Sequence, residues 1–291
     1  MEGILHLAEI AIRPAVILFM AGNLLAIGLE TDGRAALAPL RDLRFLLIVM
    51  VVDWLFAPAL AFAIVRVVPM AEPYAVGLLL VSLAPAAPFL PMMVRRAGGD
   101  LSYTAAFMLV AALGTVLMMP LGVPVVVPGL SVEAWTVARP LLVLLILPMG
   151  AGMALRAVHR PIAQKLLAVV RPIAGAATVV LLLAIAIRHG QGFFGAIGSF
   201  AIAGQLLYAI GLIAGGYLLA IRLPPARRSV VCLGACTRNL GAALAPLLVA
   251  DPDPRTTVMV ALGVPLTLAA TWLASGWLGK VPAEVSSKAP S

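Results

Sequence analysis

The sequence predicts an all-α integral membrane protein with about nine transmembrane helices. Of its 291 residues, 63% are hydrophobic and 11% are charged, and the mean hydropathy is +1.11. A soluble protein of this composition would expose large apolar patches to water. Apolar runs of roughly 17–25 residues, enough to cross a bilayer as helix, follow one another with short polar breaks. The sequence does not show the alternating pattern of a membrane β-barrel, so helices are favoured.

Nine apolar runs define the predicted spans. Met1–Arg13 has neither the basic region nor the small-residue cleavage site of a signal peptide, so we expect it to lead into the first span at the membrane interface. Val281–Ser291 is polar and is expected to form a cytoplasmic tail. The predicted spans are residues 10–29, 45–68, 74–94, 101–127, 134–155, 170–187, 199–221, 229–249 and 255–278.

Basic residues are concentrated in alternate connections between the spans. A net charge of +8 would suggest a nucleic-acid partner for a soluble protein, but in a membrane protein such residues mark the cytoplasmic side. We therefore expect the lipid bilayer and no nucleic acid as partner, an odd number of spans in a cell (inner) membrane, an N-terminus outside and a C-terminus in the cytoplasm. The opposite connections hold only Arg66, Arg139, Arg188 and Arg255. The cytoplasmic set is Arg34, Arg41, Arg44, Arg95, Arg96, Arg156, Arg160, Lys165, Arg171, Arg222, Arg227, Arg228, Lys280 and Lys288.

The third predicted span contains three prolines at a spacing of three, Pro85, Pro88 and Pro91. Each removes a backbone donor and clashes with the preceding turn of an α-helix. A straight helix through this segment is therefore not expected. Transporters commonly bind their substrates and ions where a membrane helix is interrupted in this way.

The eighth predicted span contains three consecutive polar residues, Thr237, Arg238 and Asn239, between Gly234 and Gly241. Polar side chains in the middle of a span are costly against lipid, so we expect them to face protein or a water-filled cavity. A second interrupted helix is predicted here. The comparable positions of the two interruptions suggest an inverted internal repeat.

One acid and one base, Asp53 and Arg238, lie well inside predicted spans. Both are on the order of 12–14 Å from the cytoplasmic ends of their helices at 1.5 Å per residue. Because an unpaired charge in the middle of a membrane costs about 2.5–3.5 kcal/mol, we predict that they form an ion pair inside the bundle. The pair either fixes the packing of the helices or lies beside a substrate path. The position of Arg238 in an interrupted helix favours the second interpretation.

Short motifs recur through the spans. They include Phe19-Met20-Ala21-Gly22, Asp53 with Pro58-Ala59, Ala84-Pro85, Ala97-Gly98-Gly99-Asp100, Leu147-Pro148 and Arg238-Asn239. In order and spacing the chain resembles the bile acid:sodium symporter family over nearly its whole length. The resemblance implies alternating access between a panel domain and a core domain, with two discontinuous helices that cross in the core. It assigns spans 10–29, 134–155 and 170–187 to the panel and 45–68, 74–94, 101–127, 199–221, 229–249 and 255–278 to the core of one transporter unit, residues 1–280.

The sodium ligands of that family are incomplete in this chain. Leu90-Pro91 stands where the family has a Ser-Asn pair, and Gly234 stands where it has a glutamate. Arg238 and Asp53 each replace a glutamine, while Thr104 keeps a hydroxyl. Since sodium needs a cage of oxygens and a guanidinium repels it, we hypothesise that Arg238 occupies one cation site permanently, with Asp53 as its counter-ion.

These observations predict a secondary active transporter of small or amphipathic organic anions. The residues expected to bind substrate are Arg238, Asn239, Thr237, Pro88 and Pro91, and those expected to hold or couple an ion are Asp53, Arg238 and Thr104. No cofactor is expected, and sodium is the one ion that the resemblance implies. The alternatives are an uncoupled or proton-coupled carrier of the same fold, and a membrane receptor or scaffold that does not transport.

Two further classes of protein are disfavoured. An arsenite carrier of similar fold would have a reactive cysteine in residues 88–92, which contain none. An intramembrane protease would need a second carboxylate at the depth of Asp100, and the sequence offers none. The chain is therefore not expected to be an enzyme.

Overall fold

A computed structural model describes residues 2–126, 134–248 and 253–280. The predicted tail, 281–291, lies outside the described residues. Those residues are almost entirely helical, and seven of their helices are long and apolar enough to cross a membrane. Two further segments are each divided into two half-helices. The chain is therefore an all-α integral membrane protein, while the count of nine, which takes each divided segment as one pass, stays a prediction.

We number the spans in chain order. The helical bounds are Glu2–Glu30 (span 1), Leu43–Val67 (span 2), Glu72–Ser82 and Leu90–Arg96 (half-helices 3a and 3b), Leu101–Val126 (span 4), Trp135–Val158 (span 5), Arg160–Arg188 (span 6), Ala201–Leu219 (span 7), Pro225–Cys236 and Leu240–Leu244 (half-helices 8a and 8b) and Pro254–Leu278 (span 9). Half-helix 8b continues as a 3-10 turn over Ala245–Leu248, and the short helices Gly33–Leu37 and Gly190–Ala196 lie in connections.

The helices that contain spans 1 and 6 begin earlier in the chain than the membrane spans predicted from hydropathy. Span 6 was expected over 170–187, with Lys165 in a loop, but the helix begins at Arg160. Pro161 occupies the first turn, where its missing N–H costs nothing, and the residues after it include good helix formers. Polar residues in this segment mark the edge of the apolar region, and the helix extends past that edge. Span 1 likewise begins at Glu2 and not at residue 10.

Spans 2 and 5 each contain one widened π-helical turn upstream of a proline. The turns are Val52–Phe56, before Pro58, and Leu142–Ile146, before Pro148. A proline ring clashes with the carbonyl group four residues earlier, and in both spans that residue is the centre of the π turn. Asp53 lies inside the first of these turns and is fully buried.

Small residues allow spans 1, 5 and 6 to pack closely on one another. A Cβ atom at Gly28 would collide with the Met149 carbonyl oxygen, and one at Gly22 would come within 3.0 Å of the Ala174 side chain. Such close backbone approach is typical of helices that associate in lipid. Asn23 donates a hydrogen bond to the Phe19 carbonyl oxygen and lies 3.5 Å from the Thr178 hydroxyl on span 6.

Contacts at the two ends of the bundle agree with the expected alternation of the spans. At one end, which we call the basic end, Arg227 bonds Asp42, Arg156 bonds the Leu29 carbonyl oxygen and Arg96 stacks on Trp272. At the opposite end the Tyr74 hydroxyl donates to the Gly192 carbonyl oxygen. The basic residues expected on one side thus meet the helix ends expected on that side.

Candidate functional site

The two divided helices meet in the middle of the bundle. Half-helix 3a ends at Ser82 and half-helix 8a ends at Cys236, and the links that follow them pair through one antiparallel β-bridge between Pro85 and Arg238. The Ala86 N–H donates to the Thr237 carbonyl oxygen at 3.0 Å, and the Asn239 N–H donates to the Ala84 carbonyl oxygen at 2.8 Å. Each link therefore supplies the backbone partners that the other lost when its helix stopped.

The local sequence explains both interruptions. Pro85 and Pro88 lie in the link after 3a, where they have no N–H to donate, and Ala86 between them adopts a left-handed conformation with φ of 63°. Pro91 falls in the first turn of 3b, a position that tolerates proline. In the other link, the Asn239 side chain accepts from the Ala242 N–H at 3.2 Å and so begins half-helix 8b.

The Arg238 guanidinium binds the carboxyl ends of both first half-helices. It donates to the Ser82 carbonyl oxygen at 3.4 Å and to the Ala235 carbonyl oxygen at 2.5 Å. The terminal carbonyl groups of a helix have no partners within it and carry the negative end of its dipole, so two such ends together attract a cation. A side chain of this protein supplies that cation, and it is 4% exposed.

Asp53 lies beside this guanidinium. The distance from Arg238 Nη2 to Asp53 Oδ1 is 3.7 Å, which is close enough for an ion pair but too long for a hydrogen bond. The expected contact between the two charges is thus present. Neither carboxylate oxygen of Asp53 has a hydrogen-bond partner in the described part of the chain, and Arg238 Nε has none there either. A buried ion pair without such bonds is poorly compensated for its loss of water.

Tyr208 joins this cluster and Gln205 lies one helical turn from Tyr208, and the sequence analysis identified neither residue. Tyr208 on span 7 is fully buried, and its ring centroid lies 5.8 Å from Arg238 Cζ. Gln205, one helical turn earlier, is also fully buried. The Tyr208 hydroxyl and both polar atoms of the Gln205 amide lack partners among the described residues. The Gln205 amide within an apolar span is a usable sequence signal, because an uncharged polar group there also needs a partner.

The other predicted site residues are divided between two places. Thr237 and Asn239 are buried at the crossing of the divided helices. Pro88 is half-buried in the link between half-helices 3a and 3b. Pro91 and Thr104 instead line a cavity of about 380 Å³ at the basic end. The Thr104 hydroxyl donates to the Asp100 carbonyl oxygen at 2.8 Å, within its own helix. Thr104 thus lies in the lining of the basic-end cavity, and its role as an ion ligand with Asp53 and Arg238 stays a prediction.

This basic-end cavity lies between two groups of helices. Spans 1, 5 and 6 form one wall, where Glu30, Arg156 and Gln164 lie, and half-helix 3b and span 4 form the other, with Arg95 and Met108. Its lining contains both polar and apolar side chains. A cavity of this size and character can hold a small amphipathic molecule.

A second cavity of about 930 Å³ lies at the opposite end. It is bounded by spans 1 and 6 on one side and by half-helix 3a and span 9 on the other, with Arg188, His189 and Arg255 in its lining. Burial and the adjacent Arg188 charge hold the pKa of His189 below its ordinary value, so this histidine is neutral at pH 7. Spans 1 and 6 thus line both cavities, one at each end of the bundle.

A second cluster of an acid, an arginine and a tyrosine lies at the basic end. Asp42 Oδ2 accepts hydrogen bonds from the Tyr103 hydroxyl and from Arg227 Nη1, both at 3.0 Å. Asp42 Oδ1 accepts from the Phe45 N–H at 3.1 Å. Arg227 also lies over the Tyr103 ring, with Cζ 4.3 Å from its centroid. These bonds join the beginnings of span 2, span 4 and half-helix 8a.

Comparison with known proteins identifies the family. The family model described as the sodium bile acid symporter family matches residues 15–195, which is more than half of the chain. The matched residues include Asp53, the first link with Pro88, and Thr104, whereas Arg238 lies beyond them. No curated protein matches the sequence significantly. The chain is a multi-pass membrane protein that belongs to the sodium bile acid symporter family, a family of transporters and not of enzymes.

Proposed function

We propose that this protein is a secondary transporter of small or amphipathic organic anions that works by alternating access and does not use sodium at the helix crossing. The observation that carries this proposal is the position of Arg238. Its guanidinium bonds the carboxyl ends of half-helices 3a and 8a. Broken-helix carbonyl groups of this kind coordinate cations in secondary transporters. A permanent guanidinium there repels a second cation.

The two cavities support alternating access. Both lie between spans 1 and 6 on one side and parts of spans 3, 4 and 9 on the other, but at opposite ends of the bundle. Rocking of these two groups of helices about the crossing would open one cavity and close the other. In this proposal, spans 1, 5 and 6 are the panel and the remaining spans are the core.

An anionic substrate fits the charges of this path. The basic-end cavity is lined by Arg95 and Arg156 together with Glu30 and Asp32. The opposite cavity is lined by Arg188 and Arg255 together with Asp253, which pairs with Arg255. Guanidinium groups bind carboxylates and sulfonates in a fixed geometry. The crossing itself, with Thr237 and Asn239 beside Arg238, is the proposed substrate contact between the cavities. The concentration of basic residues at one end supports the proposal that this end, and the C-terminus, lie in the cytoplasm.

The test is uptake into proteoliposomes that contain the purified protein. Radiolabelled taurocholate serves as an amphipathic anion and pyruvate as a small carboxylate, each with an inward sodium gradient or with N-methylglucamine in place of sodium. We expect uptake of at least one anion above that of protein-free liposomes, and we expect replacement of sodium to leave its rate unchanged. A rate that rises several-fold with the sodium gradient would contradict the proposed role of Arg238.

A matched pair of variants strengthens this experiment. Arg238→Gln restores the amide that the resemblance leads us to expect, whereas Arg66→Gln changes an arginine that stacks on Phe62 at the opposite end, 4.6 Å from the ring centroid. We expect uptake to fall or to become sodium-dependent in the first variant alone. Equal uptake rates and equal sodium dependence in the two variants would show that Arg238 has no specific role in transport.

A further inference from the structure

A line of buried polar side chains runs from the helix crossing towards the opposite end of the bundle. Asp53 lies 3.7 Å from Arg238, and the Arg238 Cζ atom lies 5.8 Å from the centre of the Tyr208 ring. Gln205 follows one turn along span 7. All four residues are at most 4% exposed, and each has at least one polar atom without a partner in the described residues.

The two ends of this line lie at different depths. Asp53 is ten residues into span 2, which begins at Leu43 at the basic end, so it lies about 15 Å from that end. Gln205 is four residues into span 7, which begins at Ala201 at the opposite end, so it lies about 6 Å from that end. The line therefore extends from the inner part of the bundle almost to one surface.

The chemistry of the four groups suits a mobile proton. Arg238 can only donate hydrogen bonds, and its bonds to Ser82 and Ala235 do not depend on the charge of Asp53. The Tyr208 hydroxyl and the Gln205 amide can each donate or accept, so reorientation lets them serve an ionised or a neutral carboxyl without changing charge. A network needed only for structure would have these atoms satisfied, as the Asp42 cluster has.

The groups that face Asp53 do not compete for this role. Among the described residues, Arg238 from the second link and Tyr208 from span 7 interact electrostatically with Asp53, and Cys236 at the end of half-helix 8a interacts with Arg238 and Tyr208. Arginine stays protonated at every relevant pH, and a thiol or a phenol with its ordinary pKa is mostly neutral at pH 7. Asp53 is thus the one group of this cluster that can gain and lose a proton during a transport cycle.

We propose that Asp53 binds the proton that drives transport and exchanges it with the opposite end of the bundle through Tyr208 and Gln205. A proton from solution adds to a carboxylate oxygen of Asp53 to give the neutral acid and leaves on the other side of the membrane in the next step. The coupling to transport rests on the function proposed above. Proton binding at Asp53 does not depend on that proposed function, and it can be measured without a substrate.

Infrared difference spectra of the protein in nanodiscs, recorded as the pH is lowered, test the proton site directly. We expect a carbonyl band of a protonated buried carboxyl group that is absent in Asp53→Asn and displaced in Asp53→Glu. Tyr208→Phe and Gln205→Leu should shift this band and slow its deuterium exchange several-fold.

Tyr217→Phe is the matched control on the same span, where the ring lies near that of Trp277, and should change neither the band nor its exchange. A wild-type spectrum identical to that of Asp53→Asn, or equal effects of the Tyr208 and Tyr217 changes, would overturn the proposal.

Transport measurements then separate this inference from the proposed function. In proteoliposomes with an inward proton gradient and no sodium, we expect taurocholate or pyruvate to accumulate several-fold above equilibrium, and we expect Asp53→Asn to abolish that accumulation. Taurocholate is informative because its sulfonate stays ionised, so an accompanying proton must travel on the protein. Uptake that is the same with and without the proton gradient would refute proton coupling, while the proposal that the protein is a transporter would stand. If no uptake occurs under any gradient but the infrared band of Asp53 is present, the proposed transport function is refuted and proton binding at Asp53 is supported.

Discussion

The protein contains two clusters of the same three residue types, and they differ in how well their polar groups are satisfied. At the basic end, Asp42 accepts from Phe45, Tyr103 and Arg227 at 3.0–3.1 Å. In the middle of the bundle, Asp53 lies 3.7 Å from Arg238 and has no hydrogen bond from any described residue. The partly exposed cluster is complete, and the fully buried one is not.

This difference separates a structural role from a functional one. An unsatisfied polar group is far more costly inside a membrane protein than at its surface, because water cannot replace the missing bond. The Asp42 cluster joins three helix beginnings at no such cost. In the Asp53 cluster, buried polar atoms without hydrogen bonds lower stability. The need to exchange protons or to contact a substrate is a physical reason for such a cluster to be retained.

Loss of the buried arginine should have the largest effect. Arg238→Gln leaves the Asp53 carboxylate buried without a counter-charge, so we expect a loss of about 3–5 kcal/mol in the free energy of unfolding. Arg227→Gln in the Asp42 cluster should cost about 1 kcal/mol or less, because the Arg227 side chain is 37% exposed. Thermal unfolding of both variants in one detergent measures the difference. Equal losses would mean that burial does not distinguish the clusters, whereas partial recovery in the Asp53→Asn, Arg238→Gln double variant would support the stated cause.

Acid should reduce the stability that the Asp42 cluster provides, by an amount between that of the arginine and the tyrosine substitutions. Partial burial raises the pKa of Asp42, but the bonds from Phe45 and Tyr103 and the charge of Arg227 outweigh it and hold that pKa below its ordinary value. Its contribution to stability is therefore present above the ordinary pKa of about 3.9 and is lost as the pH falls through the lower folded-state pKa.

Asp42→Asn should remove that contribution. We expect wild type to be more stable than the variant by about 1–2 kcal/mol near neutral pH, since bonds to a charged acceptor are lost. The difference should shrink as the pH falls from about 5 to about 3. Unfolding temperatures across this range measure it. A gap between the two proteins that stays constant with pH would show that Asp42 does not stabilise the fold through its charge.

The two tyrosines provide the smallest and most selective comparison. Tyr103→Phe removes the hydroxyl that donates to Asp42 at 3.0 Å and should cost about 1 kcal/mol. Tyr208→Phe removes a buried hydroxyl without a described partner and should leave stability unchanged or slightly higher. Denaturation of both variants under the same conditions gives the comparison. A larger loss for Tyr208→Phe would show that its hydroxyl is bonded in the membrane and would assign it a structural role.

Much of this arrangement could be read from local sequence. Proline spacing at Pro85, Pro88 and Pro91 predicted the first interruption, and the polar run from Thr237 to Asn239 predicted the second. The structure has a break at each place. These predictions succeed because proline and buried polar groups act on the backbone within one or two turns, whatever surrounds them.

Other features required the fold. The position of Thr104 in the lining of the basic-end cavity depends on how span 4 packs against half-helix 3b and spans 1, 5 and 6. The participation of Gln205 and Tyr208 depends on how span 7 is oriented against half-helix 8a, and the extended length of span 6 depends on helix formation beyond the apolar region.

The sequence by itself determined that the chain is a bundle of membrane helices, two of them broken, with one acid and one base at similar depth, because hydropathy, proline chemistry and charge cost are local properties. The tertiary structure alone decided which groups meet. It placed the Arg238 guanidinium on the carbonyl ends of two different half-helices, and Asp53 beside it without a hydrogen bond. Contacts between residues so far apart in the chain depend on the packing of whole helices, which no local pattern encodes.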